Sequence, residues 1–114
     1  MIDKIFDLSA SIRYVAIYHG QELQSKSKAN TARASDSETD KYEELLVNPT
    51  LLKLASQRGN IDCGGLQHLI VRYGNFYQFV LPTEKGHVSV CIEPSADPVE
   101  IGSRVKALVD SANE

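Results

Sequence analysis

Residues 66–93, LQHLIVRYGNFYQFVLPTEKGHVSVCIE, decide the fold. The last seven, His87–Glu93, alternate cleanly: Val88, Val90 and Ile92 fall on one side, and His87, Ser89, Cys91 and Glu93 on the other. A period of two is the mark of a β-strand. Just upstream, Leu66–Tyr73 sets Leu69, Val71 and Tyr73 on one face. Gly74-Asn75 is a two-residue hairpin connection of the kind that accepts positive φ, and Phe76–Leu81 is a second strand ended by Pro82. Glu84-Lys85-Gly86 makes the next turn. Strands joined this closely run antiparallel.

On the C-terminal side, Asp97 caps a last helix, Pro98 takes its first position and Glu100 completes a capping box. Ile101, Val105, Leu108 and Val109 give that helix its buried stripe. On the N-terminal side, Asp3–Ser11 reads as a short helix. Ile12–Tyr18 is a strand apolar on both faces, with Tyr14, Ala16 and Tyr18 against Val15 and Ile17, so it is central in its sheet. After the His19-Gly20 turn, Gln21–Ala29 is polar around Leu23 and suits an edge strand guarded by Lys26 and Lys28. Asn30–Ser37 reads as a loop.

The longest helical pattern spans Ser37–Arg58, capped by Ser35 or Ser37. Tyr42, Leu45 and Leu46 fall at i, i+3 and i+4. Pro49 then interrupts, because it lacks a backbone N–H and crowds the preceding turn. Asn48 as an N-cap with Pro49 at the first position restarts the helix through Leu51, Leu52, Leu54 and Ala55, and Gly59-Asn60 closes it. The expectation is a kinked helix or two consecutive ones. The full order is α-β-β-α-β-β-β-α: an α+β single domain over residues 1–114, with a five-stranded antiparallel sheet and helices on both faces.

Composition narrows the function. The chain has 114 residues, 42% of them apolar and 24% charged, which suits a globular domain rather than a disordered one. A formal net charge of −3 is the wrong sign for tracking phosphates, so no nucleic-acid partner is expected. No run approaches the ~18 apolar residues of a membrane span. Asp3 and Asp7 stand where a secretory leader would be basic and then apolar, and two cysteines are too few for a disulfide scaffold. These features point to the cytoplasm.

Chemistry-bearing residues are sparse. His19 lies in a turn, and His68 and His87 occupy strand positions with partly polar neighbours, which suggests a moderately exposed face. Neither His68 nor His87 has a nucleophile or carboxylate beside it in sequence. Cys63, His68 and Cys91 do not have the spacing of a four-ligand zinc site. Two reduced thiols, with Cys91 packed between strand and helix, account for them. Cys63-Gly64-Gly65 precedes a strand rather than a helix, so it is no phosphate loop; a turn needing positive φ explains its glycines. Neither enzyme activity nor a cofactor or metal is expected.

The apolar strand Tyr14–Tyr18 with its His19-Gly20 turn, the stretch Tyr42–Ala55, the run from Gly74-Asn75-Phe76 to Val88–Pro94, and the Ala96-Asp97-Pro98 helix entry together resemble the Roadblock/dynein light chain family. The likeness covers nearly the whole chain and rests on pattern, with no catalytic signature. It implies a profilin-like fold and a homodimer in which the middle helices pack together and the sheets continue across subunits. It also implies a platform for small GTPases or scaffold complexes, as in archaeal and bacterial members. Asn48-Pro49 departs from the family's unbroken middle helix, and Asn30–Asp36 is longer and more polar than the family pattern.

The doublets Leu45-Leu46 and Leu51-Leu52 widen the helical stripe beyond what one sheet face requires. Tyr42, Leu45, Leu46, Leu51 and Leu52, with Leu69 and Val71, are therefore the candidate self-association and partner surface. A rival reading is a small-molecule sensor whose pocket between sheet and helix is lined by Tyr14, Tyr73, Phe76, Tyr77 and Phe79.

Overall fold

The computed structural model describes residues 1–28 and 37–112. Of the loop expected at Asn30–Ser37, all but Ser37, which begins the middle helix, lies outside the described residues, as does the cap at Ser35. Helix α1 (Ile2–Phe6) leads into strands β1 (Ile12–His19) and β2 (Glu22–Ser27). A long middle helix follows in three consecutive parts: α2 (Ser37–Tyr42), a π-helical turn (Glu43–Val47) and α3 (Asn48–Asp62). Strands β3 (Leu69–Arg72), β4 (Tyr77–Thr83) and β5 (Gly86–Ile92) then precede α4 (Pro98–Ala112). The sheet is antiparallel throughout in the order β2-β1-β5-β4-β3. The α+β fold and the element order are those read from the sequence.

One face of the sheet is dry. Val15, Phe79, Leu81, Val88, Val90 and Ile92 pack against Ile5 of α1 and against Ile101, Val105 and Val109 of α4. Each fully buried side chain of this kind contributes about 1.5–3 kcal/mol. Ile12 joins this face although it is three residues from Val15, because the register of β1 on β5 slips between Ile12 and Tyr14. That irregularity turns the following side chains over. Gly102 permits the close seat of α4: a Cβ there would lie 2.4 Å from a ring carbon of Phe79. Asp97 caps α4 as expected, its Oδ1 accepting from Val99 N at 3.0 Å. The Glu100 carboxylate does not turn back to complete a box; it pairs with Arg104 at 2.7 Å.

Several boundaries differ from the sequence reading. Helix α1 stops at Phe6 rather than Ser11. Strand β4 runs through Pro82 to Thr83. Pro82 is tolerated because the β3 pairing ends at Leu69 opposite Val80, so β4 has no partner on that side at Pro82. Gly74 lies outside the positive-φ region, whereas Gly64 and Gly65 take φ of 82° and 89°. Those two glycines end the middle helix, since the N–H groups of Cys63 and Gly65 both donate to Gly59 O. The helix therefore continues to Asp62, beyond the expected close at Gly59-Asn60.

Candidate interaction surface

The middle helix bends its backbone pattern around Pro49. Pro49 has no N–H to offer the carbonyl of Leu45, and its ring crowds the turn before it. The helix accommodates it by widening: Asn48 N–H donates to Glu43 O, five residues back. Asn48 keeps helical angles (φ −62°, ψ −46°), so it is not the N-cap expected from the sequence. Its side chain turns inward and is buried. Thr50 Oγ1 donates to Leu46 O at 2.7 Å and occupies another carbonyl of the distorted turn.

Widening sorts the helix into two unlike sides. Glu44, Asn48 and Leu52 are buried on the inward side, and Gly59 is buried against the Gly65-Leu66 backbone. Tyr42, Leu45, Leu46, Leu54 and Ile61 are exposed, from 50% for Leu45 to 76% for Ile61. Of the candidate surface residues, Tyr42, Leu45 and Leu46 stand outward. Leu51 is half-buried. Leu52, only 8% exposed, is a correction: it covers the chain's own sheet and does not belong to an outer surface. Leu69 and Val71 lie half-buried on β3, which among the described residues is the last strand of the sheet and pairs with β4 alone. Leu54 and Ile61 were missed as surface residues. Part of their signal was present, because Ile61 follows Leu54 by seven residues, close to two helical turns.

Beneath the helix the sheet is polar yet closed to solvent. Gln78, His87 and Ser89 are each at most 1% exposed. His87, expected on a moderately exposed face, is instead roofed by the helix: its Nε2 lies 2.8 Å from Glu44 Oε1, and Asn48 Nδ2 donates to the same oxygen at 3.0 Å. Gln78 donates to Ser89 Oγ and accepts from Cys91 Sγ at 3.1 Å. Burial holds the Cys91 thiol well above its ordinary range, with neighbouring acids adding to the effect. Tyr73 OH donates to Glu43 Oε1 at 3.1 Å and ties the β3–β4 connection to the helix. Burial raises Glu43, with the Tyr73 hydrogen bond opposing it, and pushes Tyr73 up to about 12.

The five aromatics of the sensor reading do not line one pocket. Tyr14 and Phe76 lie on the helix side of the sheet, and Phe79 and Tyr77 pack into the opposite core. A cavity of about 610 Å³ borders Ile17, Val88 and Val109 and touches none of the five. Cys63 is exposed and Cys91 buried, both as free thiols. Among the described residues no three His, Cys, Asp or Glu side chains gather to hold a metal ion, and no helix is long and apolar enough to cross a membrane. The chain matches no protein-family model and no curated protein.

Proposed function

We propose that this chain is a non-enzymatic adaptor or regulatory domain of the cytoplasm. It works as a homodimer and binds a small GTPase or a scaffold complex. The observation that carries the reading is the outer face of the middle helix, where Tyr42, Leu45, Leu46, Leu54 and Ile61 stand exposed along one element. Exposed apolar residues are ordinary when scattered; several of them along one side of a single helix favour a surface that something else covers. The edge of β3, which has no further strand partner among the described residues, supports the same reading, because an edge strand can extend a sheet into a neighbouring chain. A π-helical turn beside the stripe fits as well, since such turns recur at functional sites. The choice of a GTPase or scaffold as further partner comes from the resemblance to Roadblock proteins.

Light scattering tests the self-association. At tens of micromolar we expect the mass of a dimer, burying roughly 800 Å² per subunit. Leu46→Asp is expected to give a monomer with unchanged helix and strand content, because Leu46 is half exposed and supports no core packing. A strictly monomeric wild type at that concentration refutes the reading.

A further inference from the structure

Pro49, Leu52, Lys53 and Ser56 recur at i, i+3, i+4 and i+7, so they share one stripe of α3. Opposite them, Tyr18, His87 and Pro82 stand side by side across β1, β5 and β4, because His87 is in register with both of the others. An open cleft of about 290 Å³ separates the stripe from these three residues. Small-molecule sites span about 300–1,000 Å³, so this one suits a single ring with its substituents. Its walls are flat and stiff. They are two proline rings, the phenol of Tyr18 and the imidazole of His87, the last two with centroids 5.7 Å apart.

Three polar groups converge on the cleft. His87 lines it with a side chain only 2% exposed, and Glu44 engages its Nε2, which leaves Nδ1 as the ring nitrogen for a further partner. Ser56 lies half-buried beside it. Lys53 stands exposed at the rim, with no ion pair among the described residues. None of the described residues that line the cleft is acidic. Flat apolar walls, one lysine and no carboxylate complement an anionic group on a flat apolar body. We propose that the cleft binds a small aromatic carboxylic acid. Its ring lies between Tyr18 and Pro82 on one side and Pro49 and Leu52 on the other. Its carboxylate meets Lys53 Nζ and accepts from the Ser56 hydroxyl, and a polar ring substituent faces His87 Nδ1. The cavity of about 610 Å³ beside Ile17 lacks this character, since Glu84 and Lys85 both line it and none of its polar side chains is buried.

An occupant of the cleft touches the helix and the sheet at once. It therefore favours the seated helix over any opened form, by mass action. Binding does not depend on the outer face of the helix being a dimer surface, because Tyr42, Leu45, Leu46, Leu54 and Ile61 take no part in the cleft.

Backbone amide spectra of the nitrogen-15-labelled chain test this. The probes are 4-hydroxybenzoate and indole-3-acetate, with their neutral amides and the ringless acid hexanoate as comparisons. At least one aromatic acid is expected to give saturable shifts at Lys53, Ser56, Gly86 and His87, with a dissociation constant on the order of 0.1–1 mM for a ligand of this size. The neutral amides and hexanoate should bind about three- to tenfold more weakly. Lys53→Met keeps the length of the side chain and removes its charge at an exposed position, so the fold should persist. It should weaken the acid to the level of its amide and leave the amide unchanged. No saturable shift from either aromatic acid up to about 10 mM overturns the proposal. So do shifts centred on Ile17 and Val109, and so does acid binding that Lys53→Met leaves unchanged. The mass from light scattering judges the dimer separately from all of these outcomes.

Discussion

On the side that α1 and α4 cover, β1, β4 and β5 present Val15, Phe79, Leu81, Val88, Val90 and Ile92. On the side beneath the middle helix, the same three strands present Tyr14, Gln78, His87, Ser89 and Cys91 beside the small apolar Ala16 and Val80, all buried. Burial is as complete on the second side as on the first, but the contents differ. Apolar packing is non-directional and stabilises in proportion to area. A polar layer contributes little net stability and enforces one arrangement, because each buried donor must find its acceptor. One face supplies the strength of the fold. The other sets the position of a helix whose outward side is apolar.

That division is testable by truncation. Phe79 is fully buried on the dry side, and Phe79→Ala is expected to cost about 3–5 kcal/mol in urea unfolding. Leu52 is the main apolar anchor of the middle helix, and Leu52→Ala should cost about 2 kcal/mol, the lower end for such a change, because polar neighbours surround the site. If Leu52→Ala proves as damaging as Phe79→Ala, the two faces contribute alike and the comparison fails.

The same contrast explains what could be read in advance. The dry side was legible because strand alternation and the Ile101–Val109 stripe are apolar signals of period 2 and 3.6. The element order followed from them. The middle helix was legible as a helix but not in its orientation. Its inward positions, Glu44, Asn48 and Leu52, recur at i, i+4 and i+8, yet two of the three are polar, so an apolar stripe points to the outward leucines instead. Only the polar alternate positions of β5 hinted at a matching polar roof: His87, Ser89 and Cys91 lie on a strand whose other side is wholly apolar. Pro49 misled for a related reason. A proline in a helical pattern suggests a restart with an N-cap, and a π-helical turn is the rarer answer to the same missing N–H.

A helix seated on a polar layer should open before the sheet does. Cys91 reports this, because its thiol lies in the layer, whereas Cys63 is exposed. With a thiol reagent under native conditions Cys63 is expected to react at once. Cys91 should react more slowly, by on the order of a hundredfold, at a rate set by local opening worth about 3 kcal/mol. Leu52→Ala should speed Cys91 labelling by more than its global destabilisation explains. Labelling of Cys91 only on complete unfolding would show that the helix and the sheet form one cooperative unit.

The smallest expected effect lies at the rim of the polar layer, where Tyr73 OH donates to the half-buried Glu43. Tyr73→Phe removes this bond and should cost about 0.5–1.5 kcal/mol at pH 8. The pH dependence gives the test its direction. Burial raises Glu43 in the fold, so its carboxyl adds no penalty below the unfolded value near 4.3 and destabilises increasingly as pH climbs to the folded value. Tyr73 opposes that rise by favouring the ionised form. The variant should therefore approach the wild type in stability at pH 4 and fall behind as Glu43 ionises, with its loss extending to higher pH. A difference that is the same at pH 4 and pH 8 would mean that the tyrosine acts through its ring, which lies 5.4 Å from that of Phe76, and not through the carboxylate.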